Sequence, residues 1–159
     1  MSRNRRPPLL HPFLFALYPV LYLYAGNIGE ARGVHAVGPA LVVLAGVGVL
    51  LVLGRLLDRE GQRSGIFLSA LVVLFFSFSA LTGFLGNLEI DGFHPFRLRL
   101  VVPTLLLSLV FLGFYLKRRT PEQATAWTSG LNLVSGLLVG LVSMQALWGH
   151  GTRPVPPPL

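Results

Sequence analysis

The chain has 159 residues, a length suited to one domain, and is 53% hydrophobic and 12% charged with a mean hydropathy of +0.68. Soluble domains carry roughly 25% charged residues, so too few charges are present here to coat a water-soluble globule. The net charge of +7 does not point to nucleic acid, because most basic residues stand in short runs beside long apolar segments, and the lack of cysteine excludes disulfides, thiolate metal sites and thiol nucleophiles.

Apolar stretches measured against the roughly 20 residues that cross a hydrocarbon core predict five helices. Helix 1 runs from about Leu9 to Ala25 and is short. Its Pro19 removes the bond to the carbonyl of Phe15 and predicts a kink that neighbouring helices must cover. Tyr18, Tyr22 and Tyr24 suit an interfacial aromatic belt. A cleaved signal peptide would need small residues near its end, where Leu23 and Ala25 stand.

Helix 2 runs from about Ala36 to Leu57 and helix 3 from about Ile66 to Leu88. Helix 4 covers about Leu100 to Leu116, with Pro103 in its first turn, where a missing N–H costs little. Helix 5 covers about Ala124 to Trp148, and Thr120, Pro121 and Gln123 before it read as N-cap, first helical position and capping-box partner. Backbone groups in lipid must be satisfied within each segment, and these stretches are too few and too continuously apolar for a closed barrel.

Basic residues set the direction of threading. Arg3, Arg5, Arg6, Arg55, Arg59, Arg63, Lys117, Arg118 and Arg119 fall on one side, nine in all, against four, Arg32, Arg97, Arg99 and Arg153, on the other. The amino terminus is therefore expected in the cytoplasm and the carboxyl terminus outside. The expected fold is an all-α integral membrane protein: a five-transmembrane-helix bundle over residues 1–148, followed by an extracytoplasmic tail over 149–159. The tail ends in GTRPVPPPL, whose prolines favour an extended polyproline II spacer.

The stretch HPFLFALYPVLYLYAGNIGE, His11 to Glu30, resembles the opening of bacterial sulfatase-like hydrolase/transferase membrane proteins of the alkaline-phosphatase superfamily. The run LVVLFFSFSALTGFL, Leu71 to Leu85, looks like that family's third helix, although Phe78, Ser79 and Ala80 depart from its FFSYG-type pattern. The layout is also similar to that of lipoteichoic-acid-synthase-like and phosphoethanolamine-transferase-like enzymes. The resemblance implies a bacterial inner-membrane domain that anchors an extracytoplasmic catalytic domain. That domain's metal-binding acids and nucleophile would lie beyond Leu159, so the chain is expected to perform no chemistry alone.

No nucleophile elbow, phosphate loop, dinucleotide fingerprint or zinc-protease motif occurs, so no catalytic residue, cofactor or metal ligand is assigned. Two outer loops gather polar groups: Asn27, Glu30, Arg32 and His35 in the first, Glu89, Asp91, His94 and Arg97 in the second. Glu89, Asp91 and His94 are candidate contacts for a divalent cation or lipid headgroup, with Glu30, His35 and Arg97 alongside, or else solvated loop residues that pair locally. His11 reads as an interfacial polar cap near Arg5 and Arg6. Asn132 and Gln145 fall within helix 5, where polar groups face protein and bond between helices or contact a substrate. Gly136 and Gly140, like Ser79 and Gly83, form small-xxx-small pairs that allow close helix approach.

No charged residue falls in the middle of a span, which weighs against ion-coupled transport. The expected partners are the lipid bilayer, an extracytoplasmic catalytic domain in the same chain or a separate one, and other membrane subunits. Beside the anchor stand two other readings: a small accessory subunit of a larger membrane complex, and a small transporter or lipid-binding membrane protein.

Overall fold

A computed structural model of the protein describes residues 7–28, 33–57, 61–86 and 98–151. Among them every regular element is an α-helix: α1 (His11–Gly26), α2 (Val34–Leu57), α3 (Gln62–Gly86), α4 (Leu98–Lys117) and α5 (Pro121–Gly151). The expected segments recur, with α3 and α5 starting earlier because polar residues at their entrances join the helix.

The start of α5 follows from local chemistry. Thr120 N–H donates to Gln123 Oε1 at 3.3 Å while Gln123 N–H donates to Thr120 Oγ1 at 3.3 Å, a reciprocal capping box with Pro121 at the first helical position. Pro103 departs from expectation. Because α4 begins at Leu98, Pro103 lies inside the helix instead of in its first turn, and Pro39 is likewise inside α2. In the α2–α3 turn Gly61 adopts φ +64°, a left-handed conformation that glycine takes at little cost.

α1 packs most extensively against α5, and also against α2 and α3. α3 touches α4, α5 and α2 as well, so α1 and α3 form the hub and α2 and α4 flank it. One apolar cluster joins Ala16 of α1, Val47 and Leu51 of α2, and Leu68 and Val72 of α3. A second joins Ile66 of α3, Leu116 of α4 and Ala124 of α5. Successive helices run antiparallel. Gly54 lies against Ser64 beside the α2–α3 turn, Arg63 reaches the Arg119 carbonyl, and at the opposite end Ile28 packs on Gly149.

Among the described residues two helices are long and apolar enough to cross a membrane, Val34–Leu56 and Pro121–Gly149, and shorter apolar stretches cover Gln62–Phe78 and Val101–Lys117. Only 11% of the most apolar window in the first and 17% in the second is buried in the structure. A core helix of a soluble protein would be mostly buried. Large side chains point outward instead: Leu41, Val42 and Leu56 on α2, Leu141, Leu147 and Trp148 on α5. The inward face of α5 is made of small groups, Ala124, Thr128, Ser135, Val142 and Ala146. On α5 the bulky apolar residues face outward and smaller ones make the contacts, whereas α2, α3 and α4 bury Leu51, Ile66, Leu68 and Leu116; so much exposed apolar surface suits association with a membrane.

Candidate functional site

The densest polar contacts gather where α1 begins. Pro12, the second residue of α1, has no N–H, and no side chain of its own segment caps the helix. The cap comes from the far end of the sequence. Asn132 Oδ1 accepts from His11 N–H at 2.8 Å and from Leu10 N–H at 3.2 Å, while its Nδ2 donates to the Pro8 carbonyl at 2.8 Å. Only one orientation of the amide satisfies all three, because the oxygen accepts and the nitrogen donates. A helix start inside an apolar bundle leaves orphan donors, and Asn132 takes two of them.

The His11 ring is held from α3. Its Nδ1 lies 2.6 Å from Ser69 Oγ, and His11 and Ser69 are 0% and 2% exposed. Gly65, one turn before Ser69, makes room. A β-carbon there would stand 2.7 Å from Leu9 Cδ2 and 3.6 Å from His11 Cε1. His11 Nε2 is buried without a hydrogen-bond partner. This corrects the expectation of an interfacial cap. Asn132 is eleven residues into α5, so α1 starts about 16 Å deeper along the bundle than α5 does, at 1.5 Å per residue.

A polar seam continues along α5. Thr125 Oγ1 donates to Gln62 Oε1 of α3 at 2.7 Å, and the buried hydroxyls of Thr128 and Ser135 donate to the carbonyls of Ala124 and Leu131 in their own helix. Satisfied this way, hydroxyls become compact contact residues.

The His11–Ser69 pair has the atoms of a base and a hydroxyl nucleophile, but not the access. Both are enclosed by packed side chains, and neither lines the grooves between α2, α3 and α4 or the one beside Tyr18 and Pro19. Its chemistry is that of a structural clasp.

Asn132 thus joins α5 to the start of α1, whereas Gln145 is exposed on the flank of α5. Gly136 and Gly140 are exposed too, and among the described residues nothing stands within 4 Å of an added β-carbon at either, so this pair does not pack against another described helix. His35 is exposed in the first turn of α2, and Asn27 closes α1 by donating from Nδ2 to the Leu23 carbonyl at 2.7 Å. Glu30, Glu89, Asp91, His94 and Arg97 lie outside the described residues. Among the described residues no group of three His, Cys, Asp or Glu side chains could hold a metal ion.

A second polar region rims the end where α3 and α5 begin. Arg63 donates to the Arg119 carbonyl, and Arg119 donates to the Tyr115 hydroxyl with its guanidinium 4.1 Å from the centre of that ring. Tyr115 in turn packs 6.0 Å from Trp127. Arginine on aromatic rings is suited to a boundary that is apolar on one side and wet on the other.

No protein-family model, curated protein or solved structure matches the chain.

Proposed function

We propose that the chain is a five-span membrane domain of a bacterial inner membrane, amino terminus in the cytoplasm and carboxyl terminus outside. In this reading it anchors an extracytoplasmic sulfatase- or phospho-transferase-like enzyme and performs no chemistry itself. The observation that carries the reading is the inverted distribution of side chains: bulky apolar groups face outward while Thr128, Ser135, Ser69 and His11 are enclosed. The His-Pro start of α1, which opens the stretch resembling the sulfatase-like proteins, is spent on holding the bundle together. Such use suits a scaffold.

The arginine and lysine asymmetry supports the orientation, and the aromatic and basic rim around Tyr115, Trp127 and Arg119 suits the cytoplasmic interface. At 16 residues α1 is short for a span. Its start beside the middle of α5 lets Asn132 bond the backbone of Pro8 and Leu10, which satisfies part of the irregular segment before the helix.

Alkaline phosphatase, which folds only outside the cytoplasm, tests the threading when fused after Leu159. Activity is expected, and an inactive fusion there beside an active one made after residue 60 overturns the orientation. The anchor role is tested by the DNA after the Leu159 codon. A hydrolase domain in frame or in the adjacent gene is expected; a stop codon with no such neighbour sinks it.

The exposed Gly136 and Gly140 favour a second reading, an accessory subunit whose partner helix lies along α5. Purification in mild detergent separates the two, since a stoichiometric membrane partner supports the subunit and a lone monomer removes it.

A further inference from the structure

α2 and α4 both pack on α3 and leave a groove of about 590 Å³ between them, within the range of small-molecule sites. Its walls are apolar along most of their length, with Leu53 from α2, Leu68 and Leu71 from α3, and Gly113 from α4. One end differs. There Arg63 of α3 and Lys117 of α4 line it. Arg63 and Leu71 are two turns apart on one face of α3, about 12 Å at 1.5 Å per residue. The groove therefore has cations at one end and an apolar slot leading away from them.

That gradient matches an amphiphile with a negative head. We propose that the groove holds an anionic phospholipid of the cytoplasmic leaflet, its phosphate between Arg63 and Lys117 and one acyl chain along Leu71, Leu68 and Gly113. The inference rests on the membrane reading above, which places this end of the bundle at the cytoplasmic interface. Charge complementarity favours this occupant over a neutral lipid. The same side of the sequence carries nine Arg and Lys against three carboxylates, Asp58, Glu60 and Glu122. Basic grooves between membrane helices on that side bind acidic headgroups. Gly113 keeps the slot open: a β-carbon there would rest 3.7 Å from Phe67 Cε2, ordinary contact, but a larger side chain would enter the acyl path.

The test is native mass spectrometry of the full chain in detergent, titrated with phosphatidylglycerol and phosphatidylcholine of identical acyl chains. One phosphatidylglycerol is expected to be retained in preference. Lys117→Gln, at an exposed position, is expected to reduce that preference about fivefold. Gly113→Leu is expected to reduce retention of the lipid while leaving both cations in place. Equal retention of the two lipids by the unaltered protein overturns the proposal without any variant, as does retention unchanged in both variants. Glycerol phosphate is expected not to displace the lipid; displacement at equal concentration would mean that the phosphate alone is read and would overturn the acyl slot. Release of the chain from membranes by alkaline carbonate would instead sink the membrane reading, whereas a membrane-retained chain without anionic preference sinks only the lipid site.

Discussion

The first turn of α1 and the whole of α2 are neighbours in sequence and opposites in design. At the start of α1, His11 and Pro12 are buried and each polar contact is specific: Asn132 to the backbone, Ser69 to the ring. α2 is apolar from Ala36 to Leu53 and exposes much of it, with Val47 and Leu51 as its buried residues. Burying apolar surface against protein gains little where lipid would solvate it equally well. The comparison teaches that in this bundle bulk apolar character leaves a helix with few specific contacts, while a few polar and small residues decide which helix it meets and in what register.

Removing the clasp is the most damaging way to test this contrast. Asn132→Leu leaves two N–H groups and the Pro8 carbonyl without their partner, and should cost about 2–4 kcal/mol, readable as a fall in the midpoint of unfolding in mixed micelles. A change under 0.5 kcal/mol would mean that water or another group caps α1 equally well. Gly65→Val drives a side chain into Leu9 and should cost about 1–3 kcal/mol by overpacking. Cross-linking between cysteines introduced near residues 9 and 132 should weaken in parallel.

Ser69→Ala removes the partner of the His11 ring and should cost about 0.5–1.7 kcal/mol, the span measured for hydrogen bonds between membrane helices. A double-mutant cycle with His11→Phe isolates the pair, and a coupling of zero would reduce the 2.6 Å contact to mere proximity. Thr120→Ala breaks one arm of the capping box on α5 and should cost about 0.5–1 kcal/mol. On the opposite side of the comparison, Gln145→Leu replaces an exposed polar group by an apolar one and should move stability by no more than about 0.5 kcal/mol. A large loss there would mean that this flank of α5 is covered by a partner.

Elements were legible where the signal is local. Unbroken apolar runs overlap the five helices among the described residues, and Thr120, Pro121 and Gln123 announced the start of α5 because a capping box is complete within four residues. Asn132 was legible as a helix-to-helix bond, since an amide in an apolar segment needs partners. Its partners were not, because they depend on how deep α1 sits beside α5. His11 was misread for the same reason: a histidine ahead of an apolar run suits an interface unless its helix starts below it. The signal that could have revealed this was the shortness of α1 itself. Gly65 and Ser69 gave no local sign, since a small residue in a membrane helix becomes meaningful only when a neighbour leans on it.

The clasp also orders events during synthesis. The acceptor for the His11 backbone lies 121 residues further along the chain, and a buried donor left unpaired costs about 1–3 kcal/mol. α1 thus reaches its packed position only once α5 has been translated. A nascent polypeptide halted before Asn132 should leave the start of α1 uncapped and open to proteases, which makes translation of α5 a timed step in the assembly of these helices.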